Sequence, residues 1–199
     1  MTDMKANIIE KAGVLFREKG YDAVTVNDVC VACGITKTTF YYHLKSKQDI
    51  LLQFYDIIVE NLTSLLLKML HMTTSWDQLQ LLFNHLMTNI QQLGPDLNSH
   101  LLSVNLQRKE QALRIRKELE EIAVDIIRRG QDSGQFRNQN NASSLYQAAA
   151  YMFTGYEYMW CTLNGEFSWN TEFFASLESI LDVDPELRTK VKDVPGDSL

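Results

Sequence analysis

Little in this sequence is available to staple a fold or to interrupt one. The 199 residues contain three cysteines, three prolines and nine glycines. An odd, small cysteine count argues against a disulfide framework and for a reducing compartment. The opening Met-Thr-Asp-Met-Lys-Ala-Asn lacks the apolar core of a secretory leader. Long apolar runs are missing too: the longest uncharged stretch, Asn138 to Tyr156, begins with Asn, Gln and Ser, which hydrocarbon disfavours. A cytoplasmic protein is expected. Positive charge is in deficit, with 19 Lys and Arg against 25 Asp and Glu, a net charge of -6 and a pI near 5.2. That balance excludes general affinity for nucleic acid, so any such contact must come from a local patch. Catalytic patterns are absent as well. His71, His85 and His100 are scattered, with no adjacent nucleophile, glycine-rich phosphate loop or metal motif. The sequence is therefore read as a non-enzyme with no cofactor and no metal.

What is present is periodic. With 45% hydrophobic and 22% charged residues, the chain can bury a substantial core. Gly, Asn and the prolines at 95, 185 and 195 punctuate apolar stripes of helical spacing, which predicts an all-α protein. Ile8, Ala12, Leu15 and Phe16 mark a helix over about Met4 to Lys19, ended by Gly20. Thr25 with Asp28, and Ser46 with Asp49, are near capping boxes; Thr36 is a third N-cap. The helix opened by Ser46 is expected to run to about Leu70, apolar on more than one side through Phe54, Ile57, Ile58, Leu62 and Leu65. Further helices are expected over 75–93, 95–107 and 108 to about 127, the last opening with a solvated charge run at Arg114 to Glu121. Two more are expected at 141–163 and near 171–181.

Charge is unevenly placed along this pattern. Residues 1 to 50 sum to +1 and the remainder to -7, while Gly34 to Lys47 alone is +3. That window holds Lys37, Lys45, Lys47 and His43, no acid, and many hydroxyl and phenol groups. A short helix from Thr25, a turn at Gly34 and a second short helix from Thr36 form a helix-turn-helix, whose second helix enters the major groove. Phe40 and Leu44 should face inward with Ile35, leaving Thr38, Thr39, Tyr41, Tyr42 and His43 partly outward. Cys30 and Cys33 form a Cys-x-x-Cys at a helix end. With no second ligand pair for zinc and no helix start to lower a thiol pKa, they read as small buried residues.

The run Leu-Phe-Arg-Glu-Lys-Gly-Tyr-Asp-Ala-Val-Thr-Val at 15–26, followed by the window 34–47, closely resembles the N-terminal domain of TetR-family transcriptional regulators over about residues 5 to 52. The tail at 185–199, with Gly196 and mixed charge, is expected to be flexible, and the resemblance implies a helix-turn-helix domain at 1–46 and a helical regulatory and dimerisation domain at 47–184. It assigns Thr25, Tyr41, His43 and Lys47 to phosphates; Lys37, Thr38 and Tyr42 are candidates for reading base edges. Thr36 and Thr39 complete the expected DNA surface. It also implies a homodimer on a palindromic operator, a double-stranded DNA partner and release by a small apolar or aromatic effector, with the last two long helices pairing between subunits. Two faces can be drawn on the 141–163 helix. Ala148, Met152, Gly155 and Met159, with Phe174, Leu177 and Leu181 from the last helix, are the expected interface. Phe54, Phe83, Met87, Asn105, Tyr151 and Trp160 are the expected pocket lining, although a packed core would have the same composition. Two rivals stay open: the same DNA domain controlled by a protein partner, and a helical enzyme or interaction protein with a coincidental motif.

Overall fold

The computed structural model describes residues 4–60, 62–107 and 109–188. Its helices are α1 (Met4–Lys19), α2 (Val26–Cys33), α3 (Lys37–His43), α4 (Lys47–Glu60), α5 (Leu62–Met69), α6 (Ser75–Leu93), α7 (Pro95–Gln107), α8 (Lys109–Asp132), α9 (Ala142–Thr162) and α10 (Trp169–Leu181). Among the described residues there is no strand, only an isolated antiparallel bridge between Phe136 and Val183. The side chains of Ile57, Ile58 and Leu62 and of half of the Arg114 to Glu121 run, and residues 189–199, lie outside the described set.

Local chemistry explains most of the boundaries. The Thr25 hydroxyl accepts from Asp28 N at 3.2 Å while the Asp28 carboxylate accepts from Thr25 N at 2.8 Å, a complete capping box. The Thr25 hydroxyl also donates to Asp28 Oδ2 at 2.6 Å, and that bond first, then the one from Thr25 N, holds the Asp28 carboxyl below its usual pKa. Gly34 closes α2 at φ 65°, a left-handed position that glycine occupies without cost, and its N–H reaches back to Cys30 and Val31. Thr36 caps α3 by accepting from Thr39 N at 3.1 Å. At Ser46 the box is altered: the hydroxyl takes Asp49 N at 3.2 Å, but the Asp49 carboxylate turns to Lys45 N at 2.8 Å.

Two cores form. The first joins Ile8, Ala12, Phe16, Val29, Phe40 and Leu44 to Ile50, Leu51 and Phe54 of α4, and also to Leu97, Leu101 and Val104 of α7. The second gathers the inward faces of α6, α8, α9 and α10 around Trp76, Phe83, Phe136, Phe153, Trp169 and Phe173. On α10 the i, i+4 row Trp169, Phe173, Leu177, Leu181 is fully buried. Leu177 and Leu181 therefore belong to the subunit's own core, which corrects their expected place in a dimer interface. Sequence periodicity drew that stripe one ridge away from the true one. Part of the presumed tail is packed rather than loose: Leu187 lies against the second core and Arg188 Nε donates to Val183 O at 2.8 Å.

Polar contacts tie α7 to the Tyr21 loop on one side and to α9 on the other. Asp96 accepts from Tyr21 N at 3.4 Å, and His100 lies 4.6 Å from the Tyr21 ring and 3.7 Å from the Asp22 carboxylate. On another face of α7, the fully buried Asn98 donates to Glu157 Oε1 at 3.0 Å and to Cys161 Sγ at 3.2 Å on α9. Burial, and then Asp22, push the Tyr21 phenol above its usual 10.0. The folded state thus binds that proton more tightly than the unfolded chain. The resulting stability is full below pH 10.0 and is lost as pH rises through the raised value. Urea unfolding between pH 9 and 11 should therefore steepen in wild type relative to Tyr21→Phe; parallel pH profiles would remove Tyr21 as the cause. The close of α8 gives a second expectation. A Cβ on Gly130 would overlap the Phe136 ring, so Gly130→Ala should cost about 1–3 kcal/mol by overpacking, read from the urea midpoint.

Candidate nucleic-acid interface

The surface starts from one buried ring. Phe40, fully buried, anchors α3 in the first core with Leu44 at 4% exposure, so the remaining faces of this seven-residue helix turn to solvent. Tyr42 is 85% exposed and Tyr41 54% exposed, large values for phenols that bury readily. Lys37 and Thr38 are exposed beside them, while Thr39 and His43 are half-buried. Tyr41 packs edge-on to Phe40 at 5.4 Å, and Tyr42 edge-on to His43 at 5.0 Å, so the aromatic rings splay along the helix instead of stacking into one patch. Thr25 and Thr36 stand exposed at the starts of α2 and α3, their oxygens occupied by the caps. The arrangement offers donors, a cation and aromatic edges on one convex helix, suited to a groove and not to a cleft-bound substrate.

Lys47 departs from its expected role. Its ammonium donates to Tyr21 O at 2.8 Å and Val24 O at 2.9 Å, and sits 4.0 Å from the Tyr21 ring centroid. The cation ties the first turn of α4 to the loop between α1 and α2, satisfying two loop carbonyls and gaining cation-π attraction. One donor of the three is left over for an outside acceptor. Sequence reasoning did not find this because the partners are main-chain oxygens more than twenty positions away; the Gly20-Tyr21 step was visible, but only as a pattern. Cys30 is buried and Cys33 half-buried, both free, and burial raises the Cys33 thiol pKa, followed by the influence of Cys30. A thiol shifted in that direction is a poor nucleophile at neutral pH.

Other expected residues divide clearly. Ala148, Gly155 and Met159 are exposed on α9 and Met152 is half-buried, while Leu145, Ala149, Phe153 and Trp160 face inward. Phe174 is half-buried, its ring edge-on to Trp76 at 6.2 Å. Tyr151 is 68% exposed on the outward side of α9, so it lines no cavity within the subunit, a correction to its expected pocket role. Phe83, Met87 and Trp160 are packed core: Phe83 meets Phe173 at 4.8 Å and Phe153 at 5.8 Å, and Trp160 meets Trp169 at 5.8 Å. Phe54 belongs to the first core beside Gly13, and Asn105 is half-buried on α7. Two surface grooves of the second core, of about 460 and 350 Å³, are lined by none of these six. Among the described residues no group of three His, Cys, Asp or Glu could hold a metal, and no helix is long and apolar enough to cross a membrane.

A helix-turn-helix within the first three helices, backed by a larger helical bundle, defines the class of fold. Residues 8–54 match the model of bacterial regulatory proteins, tetR family. Over 47 residues it is 47% identical to the negative transcriptional regulator IcaR of the biofilm operon icaADBC in Staphylococcus aureus, a match covering 24% of this chain and 25% of IcaR. The chain thus aligns with only a quarter of that relative's length. Among solved structures, Thermus thermophilus FadR, a TetR-family repressor in complex with lauroyl-CoA, superposes with a TM-score of 0.67 over 98% of this chain and all of its own, at 16% identity. A transcriptional regulator from Saccharomonospora viridis in complex with choline gives 0.70 over 92% of this chain and 97% of its own, at 18% identity. At such identities the likeness establishes the shared fold.

The Lys47 bridge is directly testable. Lys47→Met should lower the urea-unfolding free energy by about 2 kcal/mol, the loss of charged hydrogen bonds to two carbonyls. An unchanged midpoint would return Lys47 to the surface.

Proposed function

We propose that this protein is a sequence-specific DNA-binding transcriptional regulator, a repressor that acts as a homodimer on a palindromic operator and is released by a small molecule. The observation that carries the reading is the outward face of α3. Lys37, Thr38, Tyr41 and Tyr42 project from a helix capped by Thr36 and anchored by Phe40. Phosphate contacts by Thr25, Tyr41, His43 and the spare donor of Lys47 position this helix; Lys37, Thr38 and Tyr42 meet base edges, with Thr36 and Thr39 shaping its start.

Dimerisation supplies what a small patch on an acidic chain lacks. A single α3 neutralises few phosphates, so affinity comes from presenting it twice. The exposed side of α9, with Ala148, Gly155, Tyr158 and Met159, is the face proposed to meet a second copy: small residues permit close helix approach and flanking aromatics add buried area. The IcaR match supports negative control, and the choline and lauroyl-CoA complexes support a helical domain that responds to small ligands. A ligand acts by favouring the dimer whose recognition helices are mis-spaced for the operator.

Electrophoretic mobility shift with operators selected from random duplexes tests the core of this reading. Wild type should hold one inverted-repeat sequence at moderate salt; Lys37→Ala should reduce the salt slope by about 1 if it meets phosphate, or relax one base position if it meets a base edge. Sequence-independent binding by folded protein would contradict the proposal. On the dimer, Gly155→Arg should shift the sedimentation coefficient from dimer toward monomer and weaken operator binding at least tenfold; an intact dimer would exclude this face.

A further inference from the structure

Two kinds of contact hold α7 in place. Leu97, Leu101 and Val104 sink into the first core, which also contains Tyr21 and Val24. Apolar burial of this kind is strong but non-directional, so by itself it does not fix the register of a helix against its neighbours. Direction comes from hydrogen bonds and ring contacts, and α7 makes these on two faces.

One face carries Asp96 and His100, a turn apart, and both meet Tyr21 in the loop between α1 and α2. The Asp96 carboxylate accepts from Tyr21 N at 3.4 Å. The His100 ring centroid lies 4.6 Å from that of Tyr21, with Nε2 3.7 Å from the Asp22 carboxylate and 3.8 Å from that of Asp96. Helix α4 holds the same residue: Lys47 Nζ donates to Tyr21 O at 2.8 Å and lies 4.0 Å from its ring centroid. Tyr21 therefore has its N–H held by α7, its C=O by α4 and its ring by both. Val24 O takes the same ammonium at 2.9 Å, and Thr25 then caps α2, so the grip on Tyr21 is a grip on the entry to the helix-turn-helix. From the other face of α7, Asn98 donates to Glu157 Oε1 at 3.0 Å and to Cys161 Sγ at 3.2 Å on α9. That helix carries the proposed dimer face at Gly155, Tyr158 and Met159.

Resting on the regulator reading above, we propose that Asp96 and His100 are positioning residues for operator recognition, acting through Tyr21 and not on DNA. By fixing α7 against Tyr21 they fix the attitude of each α3 relative to α9, and so the half-site spacing that the dimer accepts. Lys37, Thr38 and Tyr42 choose the bases; the α7 grip chooses how far apart the two sets of bases lie.

The test separates spacing from affinity. Full-length protein is titrated by fluorescence anisotropy against its selected operator, and against the same half-sites with one base pair added between them. The insertion moves one half-site by about 3.4 Å and turns it by about 35°. Wild type should prefer the selected spacing by about tenfold or more, because a dimer that cannot engage both half-sites loses its avidity. His100→Ala and Asp96→Ala, each checked for fold by circular dichroism, should cut that preference to less than about threefold. Asp96→Asn, which keeps an acceptor for Tyr21 N, should retain it. Destabilisation alone lowers the active fraction on both duplexes alike and leaves their ratio unmoved. A wild-type ratio in the folded alanine variants, or a collapse in Asp96→Asn equal to that in Asp96→Ala, would overturn the proposal. Where an alanine variant does not fold, His100→Leu, which keeps the bulk and loses the ring contact, decides in its place. Wild type that binds the selected operator without preference for spacing removes the positioning role alone; wild type that holds no operator removes the regulator reading itself.

Discussion

The insertion of α7 into the first core is the constraint on which the rest of the structure depends. Leu97, Leu101 and Val104 pack with Ile8, Phe16 and Leu51 rather than with the bundle that follows them in sequence. The same helix presents Asp96 and His100 to the Tyr21 loop and Asn98 to Glu157 on α9. A helix shared in this way cannot shift against one core without disturbing the other, because packed interiors do not deform continuously. In the proposed dimer, the spacing of the two α3 helices would thereby follow the state of the bundle.

Lys47 makes the same point at shorter range. Between Tyr21 O, Val24 O and the Tyr21 ring, its ammonium joins the loop before α2 to the first turn of α4. Tyr21 is in turn held by Phe16 at 5.0 Å and by His100. Helix α3 rests on this assembly through Phe40, so its small set of exposed groups is held in register from its buried side. That suits a protein of net charge -6, in which specificity has to come from placement more than from attraction.

Much of the fold was legible because it is written locally. Caps at Thr25 and Thr36, the left-handed Gly34 and the stop at Gly94-Pro95 are short-range chemistry, and each sits where the sequence puts it. The inward pair Phe40 and Leu44 and the two faces of α9 follow from helical period alone. What was not legible depends on tertiary partners. Leu177 and Leu181 sit at 0% exposure on a ridge next to the predicted stripe, and Tyr151 lies on the outward side of the helix that carries Trp160 inward. The role of Lys47 requires two carbonyls distant in sequence, and the burial of Gln78 requires Met69 O to accept from its Nε2. Sequence pattern identifies which residues are polar; only packing decides which of them are left without a partner.

The central claim is that two copies of α3 read one operator. Hydroxyl-radical footprinting of the protein on a selected operator tests it most directly. The account predicts two protected patches related by a dyad, their centres about one helical turn apart or modestly more, on one face of the duplex. A single asymmetric patch, or protection spread evenly along the DNA, would contradict it.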